Sequence, residues 1–201
     1  MEKYISKKEK ASYGFAAVGS YMVVGITQSY LMYFFTDILI IPSAFVMMLM
    51  IVVRVRDALN DPMMGVTVDR TSTKYGKMRP YVLVGSFLML VTTIVLFMPL
   101  TGAPTMFKMI FAAVSYIIFG MAYTLTDVPA MGLMSVATPN SDERASLLSF
   151  YVTVGSVGSL LPVGLLTIFR SFIPEKYVYF AMSIFVGIIT SAAFLTLFQK
   201  S

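Results

Sequence analysis

Apolar residues occur in six long stretches along the chain, and polar or turn-forming residues separate them. Each stretch is long enough to cross a lipid bilayer as a helix, which takes about 20 mostly apolar residues. The stretches cover residues 11–36, 43–68, 80–99, 105–130, 145–169 and 176–198. This pattern predicts an all-α membrane protein in which residues 1–201 form a single bundle of six transmembrane helices.

The connections between these stretches are short. The turn-forming residues lie at 42–43, 99–104, 138–144 and 174. Short connections place consecutive helices side by side in antiparallel order, which favours a compact bundle. Gly155, Gly158 and Gly164 lie within the fifth stretch, and we expect close helix packing there because small residues let membrane helices approach one another.

The composition agrees with a membrane protein. Of 201 residues, 58% are hydrophobic and only 12% are charged, whereas about a quarter of the residues of a soluble domain are charged. The chain contains no Cys and no His, so disulfides, thiol catalysis and the commonest zinc ligands are excluded. We expect no bound cofactor and no enzymatic activity.

The positive charges cluster on one side of the predicted bundle. With six spans, ten of them share that side: Lys3, Lys7, Lys8, Lys10, Arg70, Lys74, Lys77, Arg79, Arg144 and Lys200. The other side carries only Lys108, Arg170 and Lys176. Cytoplasmic loops of membrane proteins carry the excess of Lys and Arg. This distribution predicts a multi-pass protein of the plasma (inner) membrane with both termini cytoplasmic. The net charge of +5 therefore does not indicate a nucleic-acid partner.

The second stretch contains RVRDALNDPMMG at residues 54–65, which places four charges near the middle of a predicted span. Each charged side chain there costs roughly 2.5 to 3.5 kcal/mol, so four cost on the order of 10 kcal/mol if they face lipid. They must face the bundle interior or a water-filled cavity. Helical spacing puts Arg54, Asp57 and Asp61 on one face with Asn60 beside them, and directs Arg56 elsewhere.

The fourth stretch contains a further acid in GMAYTLTDVPAMG, residues 120–132. Tyr123, Thr124 and Asp127 lie within about one helical turn. Pro129 has no N–H to offer the carbonyl of Leu125, so that oxygen is free for a ligand or a neighbouring helix.

Carboxylates that share a low-dielectric site repel one another unless a cation or a proton neutralises them. Asp57, Asn60, Asp61 and Thr124 supply hard oxygen ligands that suit sodium, and a proton is the alternative. A purely structural network of Arg54 with Asp57 and Asp61 is the other interpretation, although buried ion pairs stabilise little.

The stretch RVRDALNDPMMGVTVDRTSTKYGKMRPY, residues 54–81, resembles the signature of the glycoside-pentoside-hexuronide:cation symporters, a branch of the major facilitator superfamily. The resemblance continues through SYGFAAVG, YLMYFFTD, FGMAYTLTDVP and DERASL. It implies the N-terminal six-helix half of a major facilitator fold, with a sugar site near the membrane midplane. It also implies a cation site at Asp57, Asn60, Asp61, Thr124 and Asp127, with Tyr123 and Asp127 contacting sugar.

The chain departs from that family at substrate-binding positions. The acid that the family carries in the first span reads Tyr21, its arginine in the fifth span reads Val152, and an aromatic residue in the fourth span reads Met131. Tyr21 is a candidate sugar contact. Arg56 replaces an aromatic residue, and it is a candidate ligand for an anionic group such as a uronate carboxylate, with a structural role as the alternative.

The turn GVTVDR, residues 65–70, resembles the superfamily's loop motif between spans two and three. Gly65 permits close helix contact, Asp69 can meet a helix N-terminus or a cation, and Arg70 supplies a partner that can separate again. These three residues are candidates for a gating contact.

We therefore expect half of a secondary active transporter that couples entry of sodium or a proton to uptake of a sugar, glycoside or hexuronide. Its partners would be the small-molecule substrate, the lipid bilayer and a C-terminal six-helix half. One alternative is a carrier of amphiphiles or drugs with the same fold. The other is a membrane fragment that does not transport without a partner half.

Overall fold

The computed structural model describes residues 5–73 and 76–200, for Lys200 the backbone alone, and these residues form long helices. The helices are α1 (Lys7–Tyr33), α2 (Ser43–Arg70), α3 (Arg79–Leu96), α4 (Thr105–Val136), α5 (Ser141–Arg170) and α6 (Glu175–Lys200). Helix α1 continues directly into a π-helical turn, Phe34–Ile38. The all-α prediction is confirmed, and each predicted span overlaps one of these helices.

Five of the helices are long and apolar enough to cross a membrane: α1 with its π-helical turn, α3, α4, α5 and α6. Helix α2 has 28 residues, but its charged residues keep it out of this group. Length and composition therefore support five spans. Whether α2 is a sixth span depends on where its charged residues lie.

Local sequence explains where the helices begin. At the start of α1, the Glu9 amide donates to Ser6 Oγ at 3.1 Å and the Ser6 amide donates to Glu9 Oε2 at 2.8 Å, which is a capping box. At the start of α5, Asn140 Oδ1 accepts from the Asp142 amide at 2.9 Å. These side chains satisfy backbone donors that have no partner within their own helix.

Helix α1 is central to the packing, because it lies against α5 and α6, whereas α3 lies against α4 and α6. Helix α2 packs mainly against α4. Polar contacts join both ends of α1 to its neighbours: the Ile5 amide donates to Glu143 Oε1 at 3.1 Å, and the Tyr33 hydroxyl donates to Glu175 Oε1 at 3.0 Å.

Glycines bring α1 and α5 into backbone contact. A Cβ added at Gly158 would lie 2.8 Å from the carbonyl oxygen of Val18, and one added at Gly25 would overlap the carbonyl of Ser159. A Cβ at Gly155 would lie 2.6 Å from the ring of Tyr21. The predicted close packing is therefore confirmed for Gly155 and Gly158. It is wrong for Gly164, where a Cβ would have no neighbour within 4 Å, because that side of α5 faces away from the bundle.

Lys108 lies in the first turn of α4, and it is buried despite its charge. Its ammonium group donates to the carbonyl of Leu39 at 2.6 Å. Leu39 follows the π-helical turn and precedes Ile40, whose φ of 55° lies in the left-handed region. The lysine thus holds the chain reversal between α1 and α2.

Candidate functional site at the α2–α4 contact

Helix α4 carries one face of polar partners. Ile117, Gly120, Thr124 and Asp127 follow three- and four-residue spacing, so they lie in a row along the helix. Each member of this row lies against a polar side chain from α1 or α2. The sequence predicted two of the four, Thr124 and Asp127.

Arg56 lies at one end of this row. Its Nη2 forms an ion pair with Asp57 Oδ1, and its Nη1 donates to the carbonyl of Ile117 at 2.9 Å. The expectation that Arg56 points away from the acids is therefore wrong. Adjacent helical positions diverge, but the arginine stem is long enough to bring its guanidinium back to the neighbouring carboxylate against α4.

Gly120 provides the space for this ion pair. A Cβ there would overlap Arg56 Nη2 and would lie 3.1 Å from Asp57 Oδ1. A glycine in the middle of a helix costs roughly 1 kcal/mol relative to alanine, and here it allows a guanidinium to lie directly on the surface of α4. The pairing thus depends on a residue of a different helix.

Asp61 meets α4 one turn further along. The Thr124 hydroxyl donates to Asp61 Oδ1 at 2.8 Å, and Thr124 is buried. Asn60 is half-buried beside it, and the structure records no hydrogen bond of its side chain within residues 5–73 and 76–200. Two of the four predicted cation ligands are therefore in direct contact, and a third is adjacent in the chain.

Asp127 joins α4 to α1. The Ser20 hydroxyl donates to Asp127 Oδ1 at 3.2 Å, and Ser20 is buried. Sequence reasoning did not single out Ser20 as a site residue; the only available signal was that it stands beside Tyr21 in the altered first-span motif. Tyr21 packs edge-on against Tyr151, with ring centroids 6.2 Å apart.

A cavity of about 500 Å³ opens between α1, α2 and α4. Its polar lining comes from Thr27, Gln28, Arg54, Asp57, Tyr116 and Tyr123. Arg54 and Asp57 both reach this cavity, as expected from their shared helix face. Asp57 is therefore in contact with Arg56 on one side and with an accessible space on the other.

The remaining candidates lie outside this cavity. Gly65, Asp69 and Arg70 lie in the last two turns of α2, and both charged residues are exposed. The expected close helix contact at Gly65 is wrong, because a Cβ there would have no neighbour within 4 Å among the described residues. Met131 and Val152 are also exposed. Within the described part of the chain, no three Asp, Glu, His or Cys side chains are grouped closely enough to hold a metal ion. Any cation site here therefore includes neutral oxygens.

Comparison with known proteins identifies the family of the chain. Residues 12–201 match the model of the family described as MFS/sugar transport protein. The symporter YjmB of Bacillus subtilis (strain 168) is 37% identical over 161 residues, which are 79% of this chain and 35% of that relative. The inner membrane symporter YicJ of Escherichia coli (strain K12) is 34% identical over 161 residues, which are 78% of this chain and 34% of YicJ.

A third relative, the isoprimeverose transporter of Lactiplantibacillus pentosus, is 29% identical over 153 residues, which are 76% of this chain and 32% of that protein. The chain thus spans less than half the length of the relatives it matches. These relatives are transporters and not enzymes, and the apolar helices indicate a multi-pass membrane protein. The chain belongs to the MFS/sugar transport protein family, in the glycoside-pentoside-hexuronide:cation symporter branch of the major facilitator superfamily.

Proposed function

We propose that this chain is the N-terminal half of a symporter that couples a cation to the uptake of a sugar, glycoside or hexuronide. The observation that carries the proposal is the contact of Thr124 with Asp61, one turn from Asp57 at the edge of a cavity. Carboxylates that face a cavity inside a membrane protein mark ion or substrate pathways, because placing them against lipid is costly.

The residues take distinct roles in this proposal. Asp57 and Asp61 are charged cation ligands, and Asn60 and Thr124 are neutral ligands, so the site offers only oxygen. Such a set suits sodium among the common cations, and a proton on one carboxylate is the alternative. Tyr123 and Asp127 lie on α4, one position before and three positions after the cation ligand Thr124, and they connect cation and substrate.

Coupling follows from charge. A filled cation site neutralises part of the negative charge of α2 and α4, so a substrate that shares Asp127 binds better. By linkage, the substrate raises cation affinity by the same factor. Tyr21 contributes a hydroxyl to the substrate side. Asp69 and Arg70, at the end of α2 and one turn beyond Gly65, are the proposed gating residues.

The proposed topology has six spans in the plasma (inner) membrane, with both termini cytoplasmic. Helix α2 crosses as the sixth span because its charges contact α4 and the cavity, whereas its other side is apolar. The exposed apolar residues of α2 include Met47, Met48, Ile51, Val52, Val55, Leu59, Met63 and Val66. Such a surface suits lipid or other transmembrane helices.

A C-terminal six-helix half is the proposed partner for transport. The relatives extend well beyond the matched region, and α2 and α5 both present large exposed faces. The transported compound would bind between the two halves, near the membrane midplane.

Cation binding can be tested on the chain itself, because Asp57, Asn60, Asp61 and Thr124 all belong to it. Purified chain in lipid nanodiscs would be titrated with sodium and lithium, and binding followed by calorimetry. Asp61→Asn is expected to abolish sodium binding, because it removes a charged ligand. Asp142→Asn is the matched control, since Asp142 is exposed at the start of α5. Unchanged binding by Asp61→Asn would contradict the assignment.

Transport requires a second experiment with the chain and a C-terminal half produced together in proteoliposomes. Sodium-driven uptake would be competed with isoprimeverose, galactosides, glucuronides and lysolipids. Competition by a glycoside or glucuronide supports the proposed substrate class. Competition by lysolipids alone would indicate an amphiphile carrier. Uptake that does not depend on the sodium gradient would refute coupling to sodium.

A further inference from the structure

We propose that Arg56 is a tethered cation that competes with the coupling cation for Asp57 and so sets the affinity of the cation site. This inference rests on the proposed function, because it assumes that a cation binds at α2 and α4. In this proposal Arg56 is a competitor of the cation and not a ligand, because its guanidinium occupies the position beside Asp57 that the cation would take.

The guanidinium of Arg56 is held by protein atoms. Its Nη2 pairs with Asp57, its Nη1 donates to the carbonyl of Ile117 at 2.9 Å, and its Nε is buried with no hydrogen-bond partner among the described residues. The side chain is only 23% exposed. A charge that is largely withdrawn from water in this way interacts strongly with its neighbour, because little solvent screens the pair.

Helix α4 provides a fitted place for this group. Gly120 leaves a gap that any Cβ would fill, and the carbonyl of Ile117, which accepts from Arg56, lies one turn earlier. Gly120 and Asp57 also line the cavity. A small cation that enters the cavity therefore reaches the same carboxylate that the guanidinium holds.

The charges of the site favour exchange over joint occupancy. Arg56 neutralises Asp57, whereas among the described residues Asp61 accepts only from the neutral hydroxyl of Thr124. A cation that binds between Asp57 and Asp61 gains from both carboxylates only if the guanidinium withdraws, because two like charges on one carboxylate repel. Loss of the Arg56 charge should therefore strengthen cation binding.

The test is sodium binding by the purified chain in nanodiscs. Arg56→Gln removes the tethered charge and keeps a polar side chain, which is shorter than that of arginine. We expect its dissociation constant for sodium to fall by about tenfold or more, since one unit charge in direct contact with the ligand is removed. The matched control is Arg54→Gln, which removes the same charge from a residue of the same helix that lines the cavity. Arg54 has no ion pair within residues 5–73 and 76–200, so we expect a change of less than about threefold.

A second variant covers the case in which Arg56→Gln does not fold. Gly120→Ala keeps every charge but displaces the guanidinium, and because the displaced atoms are the far end of a flexible side chain, the helices need not separate. It is expected to tighten sodium binding in the same direction. Where Arg56→Gln is unfolded, Gly120→Ala decides.

The outcomes separate this inference from the proposed function. If the wild-type chain binds sodium and neither Arg56→Gln nor Gly120→Ala binds it more tightly, the inference fails and the cation site stands. Equal tightening by Arg54→Gln also overturns the inference, since any loss of positive charge would then suffice. If only Arg56→Gln binds sodium, the inference holds and sodium coupling of the wild type fails. If no form binds sodium or lithium, both fail.

Discussion

Helix α1 meets α5 through backbone and glycine, whereas α2 meets α4 through the ends of polar side chains. At Gly25 and Gly158 the two backbones touch, and no side chain lies between them. At Arg56 and Asp61 the contacts are an ion pair and hydrogen bonds to α4. Backbone contacts have one arrangement, because packed interiors do not deform gradually. Polar side chains can exchange partners with an ion or a substrate while their helices stay in place.

This difference assigns stability to one contact and function to the other. Helix α1 is also held near both of its ends, by Glu143 of α5 and by Glu175 of α6. Helix α2 packs mainly against α4 and exposes most of its remaining surface. We therefore expect substitutions at the first contact to affect folding, and substitutions at the second to affect binding.

The largest effect is expected from Gly25→Leu. Its side chain has to enter the space of the Ser159 carbonyl, so α1 and α5 must separate. Overpacking of an interior costs about 1 to 3 kcal/mol and sometimes more, and we expect about 3 kcal/mol or more here because the obstacle is backbone. Thermal unfolding of the purified chain measures this loss. Gly164→Leu is the control, expected within about 0.5 kcal/mol, and an equal loss there would remove the distinction between the two contacts.

A smaller loss of stability is expected from Lys108→Met. The substitution leaves the Leu39 carbonyl without its buried donor, which costs about 1 to 3 kcal/mol. Lys108 holds a chain reversal and no carboxylate, so sodium binding should not change. Thermal unfolding measures the loss of stability, and sodium titration measures whether the affinity is unchanged. Lys176→Met is the control, because Lys176 is exposed. Altered sodium affinity in Lys108→Met would show that the N-terminal end of α4 is coupled to the site.

Hydropathy and turn residues were sufficient to predict the helices, because each span needs a continuous apolar stretch and each break needs a polar or proline-rich turn. The π-helical turn at Phe34–Ile38 could not be predicted, since nothing in the run of aromatic residues distinguishes it from an α-helix. Gly164 shows a related limit. A glycine that permits close packing and a glycine that faces outward look the same in sequence.

The sequence singled out several of the polar residues at the α2–α4 contact but not how they pair. Helical spacing identified Asp57, Asp61 and Thr124, because acids and hydroxyls in apolar helices stand out. The partner of Arg56 depended on Gly120 and on a backbone carbonyl of α4. Carbonyls carry no sequence signal, so the sequence could not show that Arg56 turns back to its neighbour.

An effect on binding without an effect on folding is expected from Thr124→Val. The substitution keeps the shape of the side chain but removes the hydroxyl that contacts Asp61. Sodium affinity should fall by about tenfold, since a hydrogen-bonding group next to a charge contributes about 1.5 kcal/mol. Thr126→Val is the control, because Thr126 donates only to the Ala122 carbonyl of its own helix. Calorimetric titration of both variants decides, and equal affinity in wild type and Thr124→Val would exclude Thr124 as a ligand.

The smallest effect is expected from Ser20→Ala. This variant tests whether α1, which packs against α5, also contributes to the polar site on α4. Ser20 lies on the helix that packs against α5, yet its hydroxyl donates to Asp127 on α4 at 3.2 Å. If Asp127 binds substrate and Ser20 orients it, the concentration of substrate that gives half-maximal uptake should rise about threefold, the value of a weak hydrogen bond. Sodium affinity of the chain should change less than uptake, because the Ser20 hydroxyl donates to Asp127 and not to Asp57, Asn60, Asp61 or Thr124. Ser86→Ala is the control, since Ser86 donates within α3 to Leu83. A change in thermal stability without a change in uptake would place Ser20 with the structural residues of α1, and Asp127 would then bind substrate without orientation by Ser20.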